Sequence, residues 1–380
     1  MNIGFYAPLK SPDSAIPSGD REMAKLLFSS LESQGHQVKI VSRFKSREPE
    51  GLEEKQKQLK LRGEQISKEL IKKFSVIGNW RPDLWFTYHM FYKAPDLIGP
   101  SVSAALKIPY IVVEASHAPK RALGPWSLFH GEVEKTIAHA DLIIGMNTND
   151  RSGIKQILKD DTRYKELRPF LKIEKNHSED KIIKRQYLEK KHKLSLDSIW
   201  LLTVGMMRDG DKFASYKILS EALAKVNTNK NWNLIIIGDG PLRTEVENLF
   251  SKKVLFTGQL TSNQLQKYYS SADIFLWPAI NEAYGMALLE AQSLGMPAVA
   301  GDSGGVGDIL RDNETGFLSK QGDATDFADK TSILIDNSEL RRNMSRNALI
   351  IAYQDHSFDS NSNKLGIWVS EVCNQFGELQ

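Results

Sequence analysis

Cysteine is nearly absent from this chain of 380 residues, since Cys373 is its one example. A single thiol excludes a disulfide framework and a metal cluster built from several cysteines. No run of about 18 apolar residues occurs, and the N-terminus, MNIGFYAPLKSPD, lacks a basic stretch followed by a long apolar one. We therefore expect no membrane-spanning helix, no leader segment and a reducing, cytoplasmic location.

The chain also lacks a large excess of charge of either sign, because it contains 50 Lys and Arg and 47 Asp and Glu, for a net charge of +3. So small an excess does not indicate a nucleic-acid partner, and we expect none. Residues 163–193 differ, with eleven Lys or Arg against five Asp or Glu. That excess is typical of a solvated linker and helix, and also of a surface in peripheral contact with phosphates or the inner face of a membrane. Both interpretations stay open.

What the chain does have is length and a regular alternation of short apolar runs with helical patterns. With 380 residues, 41% of them hydrophobic, two domains are expected. Alternation of this kind is typical of parallel sheets covered by helices. In the first half, strands are predicted at residues 2–8, 37–44, 84–88, 108–116 and 140–147. These predict a Rossmann-like domain over residues 1–175.

A second series of strands predicts a second domain over residues 195–355. Its apolar runs are IWLLTVGMM, WNLIIIGDG, VLFTGQL, ADIFLWPA and MPAVAG. The charged segment 163–194 between the two series predicts a linker followed by a helix. The amphipathic segment 358–380 predicts a helix that crosses back to complete the first domain. The fold class expected is α/β, with two Rossmann-like doubly wound domains facing a central cleft.

Open parallel sheets bind ligands at the carboxyl ends of their strands. In this chain those ends carry glycines, a histidine and the segment NEAYGMALLEA at residues 281–291. Within that segment the backbone N–H groups of Gly285, Met286 and Ala287 open a helix, and such an end suits a phosphate. Glu290 is placed to accept hydrogen bonds from ribose hydroxyls, and Glu282 to stay near a sugar across the diphosphate. The segment therefore predicts a nucleotide-sugar site.

Six segments in the second half carry a resemblance to a known family. They are Val204–Gly205 with Lys212, IGDGPLRTEVE at 237–247, VLFTGQL at 254–260, YYSSADIFLWPAINEAYGMALLEAQSLGMPAVAG at 268–301, GGVGDIL at 304–310, and ETGFL at 314–318. In order and spacing they resemble the retaining glycosyltransferases of family 4, the glycosyl transferases of group 1, which have the GT-B fold. The first half resembles the family more weakly, through Gly19, His117 and RPFLKIE. The resemblance implies that residues 195–355 form the donor domain and residues 1–175 the acceptor-side domain.

The resemblance implies a role for each matching residue. Glu290 would bind the ribose, Glu282 the transferred sugar and Lys212 the diphosphate. His117, Lys212 and Glu282 are thereby implied as catalytic. The implied donor-binding set comprises Gly19, Gly205, Arg208, Lys212, Gly238, Glu282, Tyr284, Gly285, Met286, Ala287 and Glu290.

One position departs from the family pattern. The family usually has an arginine directly after the glycine of the first strand of this domain, where this chain has Met206. Either the cationic contact is missing, or Arg208 takes it over. His89 and Arg121 are candidates for contact with the acceptor, or for an ordinary surface role.

The activity implied is transfer of a sugar, with retention, from a nucleoside-diphosphate sugar to a glycan, lipid or small-molecule acceptor. No cofactor is expected. A metal is not expected either, although Asp209 and Asp211 form an Asp-x-Asp pair, because aspartates in a glycine turn commonly cap and shape it. The alternatives are a nucleotide-sugar epimerase or a glycan phosphorylase on the same plan, and a nucleotide-sugar-binding subunit without activity.

Overall fold

A computed structural model of the chain describes residues 1–16, 18–158, 160–173, 180–250 and 254–378. It divides into two compact units. Unit 1 comprises Met1–Phe170 and Phe358–Gln380, and unit 2 comprises Leu171–Ser357. The ranges expected from the sequence were 1–175 with 358–380, and 195–355.

Unit 1 is built on a six-stranded parallel sheet. Its elements are β1 (Asn2–Tyr6), α1 (Gly19–Ser33), β2 (Gln37–Ser42), α2 (Glu53–Phe74), β3 (Leu84–Met90), α3 (Gly99–Leu106), β4 (Tyr110–Ala115), α4 (Ser127–His139), β5 (Leu142–Gly145), α5 (Arg151–Lys155) and β6 (Tyr164–Glu166). The strand order is β2-β1-β3-β4-β5-β6. Strands β4 and β5 are buried along their whole length, as expected for a sheet with both faces covered.

Unit 2 repeats this architecture. Its elements are α6 (Asp180–His192), β7 (Ile199–Val204), α7 (Asp211–Leu223), β8 (Trp232–Ile237), α8 (Arg243–Leu249), β9 (Val254–Phe256), α9 (Ser262–Ser271), β10 (Ile274–Trp277), α10 (Met286–Ser293), β11 (Ala298–Gly301), β12 (Gly316–Ser319), α11 (Ala324–Asp336) and α12 (Ser338–His356). The strand order is β12-β11-β10-β7-β8-β9, and all neighbours are parallel. The predicted class of two Rossmann-like units is confirmed.

Two short strands were not predicted from the sequence. Strand β6 lies inside the charged segment that we interpreted as linker, where it pairs with β5. Strand β12 follows the predicted series and pairs with β11. Strands of three or four residues at a sheet edge contain too few side chains to show a period. Of the predicted linker, residues 174–179 lie outside the described residues.

Local chemistry accounts for where some of the helices begin. Ser18 precedes α1, and its Oγ accepts a hydrogen bond from the Arg21 N–H at 3.2 Å. Thr261 and Gln264 form a capping box at the start of α9, so two N–H groups without helical partners are satisfied.

The C-terminal helix α13 (Phe358–Glu378) packs against α1 within unit 1. Leu365 and Val369 are fully buried on it. A Cβ at Gly366 would lie 2.7 Å from Oε1 of Gln34, the residue directly after α1, so α13 closely approaches the end of α1 there. No helix among the described residues is both long and apolar enough to span a bilayer.

Because α13 supplies part of the core of unit 1, its inward and outward apolar residues should differ in their effect on stability. We expect Leu365→Ala to lower the free energy of unfolding by about 2–5 kcal/mol through lost burial and a cavity. Ile367 is 57% exposed on the same helix, so Ile367→Ala serves as the control and should change stability by less than about 0.5 kcal/mol. Urea unfolding of both variants is the measurement, and equal losses would contradict the packing described.

Candidate functional site

The winding of the sheet in unit 2 reverses beside its central strand. Strand β7 has β8 on one side and β10 on the other. The loops that follow these three parallel strands therefore emerge at one edge, at the topological switch point where open α/β sheets bind ligands. Most of the predicted donor-binding residues lie in those loops.

The loops after β7 and β8 meet backbone to backbone. A Cβ at Gly238, whose φ is +145°, would lie 1.8 Å from the Gly205 carbonyl oxygen. A Cβ at Gly205 would lie 3.0 Å from both the Trp277 ring and the Tyr216 hydroxyl. The Tyr216 hydroxyl also donates to the Gly205 carbonyl oxygen at 2.9 Å. Both predicted glycines therefore allow a close approach that any side chain would prevent.

A lysine, a glutamate and a tryptophan meet at this edge of the sheet. The Lys212 ammonium, near the start of α7, makes an ion pair with Oε2 of Glu282, in the loop after β10. The indole Nε1 of Trp277 donates to the same carboxylate oxygen at 2.9 Å. The ammonium also lies 5.0 Å from the centre of the Trp277 ring, a cation–π distance. The structure thus brings two predicted residues, Lys212 and Glu282, into direct contact.

The loop that carries Glu282 is tied to α7 by two further hydrogen bonds. The Asn281 side-chain amide donates to Oδ1 of Asp211 at 2.8 Å. The Ile280 N–H donates to the Ser215 hydroxyl at 3.0 Å. Asp211, the second acid of the Asp-x-Asp pair, is thus the first residue of α7 and also accepts a hydrogen bond from the loop. Asp209 is exposed in the turn before it.

Helix α10 begins directly behind this loop. Gly285 precedes it with φ +81°, a left-handed conformation that favours glycine. Its carbonyl oxygen accepts from the N–H groups of Leu288 at 2.8 Å and Leu289 at 3.1 Å. The N–H groups of Met286 and Ala287 lie in the first turn, where helix geometry supplies no acceptor, so this end can hold an anion. Tyr284, just before the turn, is buried.

Glu290 lies one turn further along α10, beside a buried tyrosine. Burial, and secondly the neighbouring Glu290 carboxylate, raise the pKa of Tyr269 well above its usual value. The Tyr269 hydroxyl also lies 3.1 Å from the Ala287 carbonyl oxygen, to which it donates. The Tyr269 hydroxyl therefore keeps its proton and lies between the first turn of α10 and the Glu290 carboxylate.

Met206, which stands where the family usually has an arginine, and Arg208, the candidate to replace that arginine, are both exposed. Met206 is 42% exposed, whereas its neighbour Met207 is fully buried. Arg208 is also exposed, and it makes no ion pair within the part of the chain that the structure describes. Its guanidinium is thus available to a ligand. That Arg208 takes over the contact of the missing arginine stays a prediction.

Gly19 and His117 belong to unit 1. Gly19 is the exposed first residue of α1. The His117 side chain, which follows β4, is only 4% exposed. Its Nδ1 lies 3.1 Å from the Gly153 carbonyl oxygen, and its Nε2 lies 3.1 Å from Oε1 of Glu134. Its predicted catalytic role stays a prediction.

Among the described residues, one group has donor atoms close enough to hold a metal ion. The ligand atoms of His117, His130 and Glu134 lie within 4.8 Å of one another. His117 and Glu134 already satisfy each other by the hydrogen bond above. Burial lowers the pKa of His130, which keeps its imidazole neutral. The expectation that the reaction needs no metal stays a prediction.

The two candidate acceptor contacts differ in their surroundings. Burial acts to lower the pKa of His89, but the charges of Glu114 and Asp20 outweigh it and raise the pKa to about 9. Its Nδ1 lies 3.1 Å from Oδ1 of Asp20. The Arg121 guanidinium lies 4.9 Å above the Trp126 ring, so it is held by an aromatic contact. His89 is therefore a charged group at the carboxyl end of β3.

Sequence reasoning named Tyr284 but missed three other aromatic residues of the site, Trp277, Tyr216 and Tyr269. Trp277 ends the apolar run ADIFLW and reads as a core residue of a strand, which it also is. Tyr216 and Tyr269 occupy ordinary core positions on helical patterns. Their hydroxyl and indole N–H groups acquire specific partners only through tertiary contact, so no local signal marks them.

Comparison with known proteins agrees with this fold. Residues 186–349 match the family model for glycosyl transferases group 1. A sulfoquinovosyl transferase of Arabidopsis thaliana is 38% identical over 112 residues, which is 28% of this chain and 22% of that protein. An N-acetyl-alpha-D-glucosaminyl L-malate synthase of Bacillus anthracis is 32% identical over 139 residues, 35% of this chain and 36% of that protein. The chain thus spans well under two thirds of these relatives' lengths.

Solved structures match along nearly the whole chain. HepE of Anabaena, solved in complex with UDP, has a TM-score of 0.73 at 15% identity, covering 98% of this chain and 100% of that one. HepE has also been solved with UDP-glucose. With two Rossmann-like units, the chain has the GT-B fold, and residues 186–349 within unit 2 match the glycosyl transferases of group 1.

Proposed function

We propose that this chain is an enzyme that transfers a sugar, with retention, from a nucleoside-diphosphate sugar to a hydroxyl group of an acceptor. The observation that carries the proposal is the contact of Lys212, Glu282 and Trp277 beside the first turn of α10. One cation, one carboxylate and a helix N-terminus at a topological switch point are the groups that a sugar diphosphate requires.

Lys212 and the first turn of α10 are assigned to the diphosphate. When the bond between C1 of the sugar and the phosphate oxygen breaks, negative charge gathers on the leaving diphosphate. A fixed ammonium and preorganised N–H dipoles stabilise that charge more than they stabilise the bound donor, so they lower the barrier. Arg208 is assigned as a further cation, because its guanidinium is exposed in the neighbouring loop.

Glu282 is assigned to the transferred sugar. Without a donor its carboxylate neutralises Lys212, and the diphosphate would take over that ammonium. The Trp277 indole N–H and the hydrogen bonds of Asn281 and Ile280 hold the loop in place. The carboxylate can then accept hydrogen bonds from sugar hydroxyls, and His117 is assigned to the same sugar on the strength of the family pattern.

Glu290 is assigned to the ribose of the nucleotide. A carboxylate accepts from two vicinal hydroxyls, and the neighbouring Tyr269 hydroxyl fixes its orientation. HepE, which shares the fold, has been solved with UDP and UDP-glucose, and this supports a nucleotide-sugar donor here.

No protein nucleophile is assigned. In the proposed step the acceptor oxygen attacks C1 on the face that the diphosphate leaves, and its proton passes to the departing phosphate oxygen. The acceptor is a glycan, a lipid or a small molecule, and a cytoplasmic location suits the single thiol.

Met206 favours a second candidate function, a nucleotide-sugar-binding subunit without activity, because it removes a cation from the expected position. Incubation with labelled nucleotide sugars separates the two functions. Release of nucleoside diphosphate above the rate without protein identifies the enzyme, and binding without release identifies the subunit.

Replacing Lys212 or Arg208, the two cations assigned to the diphosphate, should lower turnover more than replacing a lysine elsewhere on unit 2. We expect Lys212→Ala to lower kcat about a hundredfold or more, since loss of one stabilising donor costs roughly 3 kcal/mol of barrier. Arg208→Ala should lower kcat nearly as much if it replaces the missing arginine. Lys217, exposed on the same helix α7, is the matched control, and Lys217→Ala should retain the wild-type rate. A wild-type rate for Arg208→Ala would restrict the role to Lys212.

Substitutions of Glu290 and Glu282 should weaken the binding of different ligands. We expect Glu290→Ala to weaken binding of the free nucleoside diphosphate, because ribose hydroxyls lose their acceptor. Glu282→Ala should spare the free nucleotide and weaken the intact sugar donor. Calorimetry with both ligands is the measurement, and equal effects of the two substitutions on the free nucleotide would overturn the assignment.

Transfer should persist in EDTA, because Lys212 and the first turn of α10 supply the positive charge that a divalent ion would bring. Asp211→Asn should keep its contact with Asn281 and retain activity. The measurement is turnover with EDTA, with and without added Mg²⁺ or Mn²⁺. Activity that is abolished by EDTA, restored by metal and lost in Asp211→Asn would favour the Asp-x-Asp pair as a metal site.

A further inference from the structure

Unit 2 has a cleft of about 470 Å³ at the edge of its sheet opposite the candidate donor site. Asp273 and Pro297, which line it, directly precede β10 and β11, so the cleft lies at the amino ends of these strands. Its walls come from the start of α6, the end of α9 and one face of α12. Tyr269, which lies beside Glu290, also contributes to its lining, but none of the residues assigned to contact the donor does.

Positive charge dominates the lining of the cleft. Lys181, Arg341, Arg342 and Arg346 contribute cations, and Asp273 is the one acid among the lining residues. Asp273 is paired with the Arg185 guanidinium at 2.9 Å and with the Lys181 ammonium at 4.0 Å, and it makes no ion pair with Arg342 or Arg346 among the described residues. The lining therefore carries an excess of positive charge, and an anion that enters it gains favourable interactions with several cations.

The four cations differ in how far the protein already uses them. Arg341 donates to the Leu334 and Ile335 carbonyl oxygens, where it caps the end of α11. Arg342 and Arg346 lie four residues apart on one face of α12, and both are exposed. Neither forms an ion pair with any described residue; Glu339, one turn earlier on α12, is exposed and leaves Arg342 unpaired. These two guanidiniums are free to bind an external anion.

Large apolar side chains stand exposed beside these cations. On α6, Ile182 is 69% exposed and Ile183 is 66% exposed, directly after Lys181. On α12, Leu349 lines the cleft at 41% exposure, and Ile350, one turn after Arg346, is 48% exposed. Exposed basic and exposed apolar groups thus occur together on the two helices that wall the cleft, a composition typical of helices that lie in a membrane interface.

We propose that the surface formed by Lys181, Ile182, Ile183, Arg342, Arg346 and Ile350, here called the α6–α12 face, docks on an anionic membrane. The phosphoryl group of an anionic lipid enters the cleft and is bound by Arg342 and Arg346. Ile182, Ile183 and Ile350 enter the interface beside it. This inference is independent of the proposed sugar transfer.

Two features favour a lipid phosphate over a soluble one. A soluble phosphate compound would use the guanidiniums but would leave the isoleucines exposed to water. A bilayer satisfies both groups at once, because its anionic surface attracts the cations and its acyl boundary takes up the apolar side chains.

The test is cosedimentation of the full chain with vesicles of phosphatidylcholine, with and without phosphatidylglycerol. We expect binding only with phosphatidylglycerol, and weaker binding at high salt because the cations are exposed. Arg342→Gln/Arg346→Gln should weaken partitioning about thirtyfold, from a contribution of roughly fivefold by each basic residue. Ile182→Ser/Ile183→Ser should also weaken binding while leaving its salt dependence.

The matched control is Lys68→Gln/Lys72→Gln, which removes two exposed cations four residues apart on α2 in unit 1. It should bind vesicles like the wild type, and thermal unfolding should show all variants folded. Equal losses in the control and the arginine variant, or no preference for phosphatidylglycerol, would overturn the proposal. Calorimetry with inorganic phosphate covers the other source, since arginine-dependent phosphate binding without vesicle binding would make the cleft a soluble-phosphate site instead.

Discussion

The Glu282 carboxylate accepts from two groups that come from different elements, the Lys212 ammonium at the start of α7 and the Trp277 indole at the end of β10. The rest of the candidate donor site depends on this contact. It fixes the loop before α10, and with it the position of Gly285 and the first turn. A charge pair of this kind repays its loss of hydration only when hydrogen bonds complete it, and Trp277 supplies one.

The two ends of the sheet in unit 2 organise charge differently. At the carboxyl ends, Lys212 is balanced by Glu282 until a ligand displaces one partner, and Arg208 is the exposed cation of the neighbouring loop. At the amino ends, Arg342 and Arg346 remain without acidic partners among the described residues. Paired charges give a rigid geometry suited to selecting one ligand, whereas unpaired exposed cations attract any anionic surface.

Much of the fold was predictable because parallel strands buried on both faces have a strong local signal. The run LIII in β8 and the run IFLW in β10 are apolar throughout, so both strands were found with nearly correct ends. The three-residue strand β6 was missed because most of its side chains are charged or half-buried. Its strand conformation comes from pairing with β5. Such a contact between two segments need not be marked by an alternation of apolar and polar residues in the sequence of β6.

The sequence by itself determined where glycines shape the backbone at the carboxyl edge of the sheet. Gly285 before an apolar helix start, and Gly238 after an apolar strand, are local features whose conformation follows from the missing side chain. Only the tertiary structure decided the partners of the functional side chains. Lys212 and Glu282 are 70 residues apart and meet because β7 and β10 are neighbours at the switch point. Strand order is set by the packing of the whole unit, so no local pattern could have specified that pair.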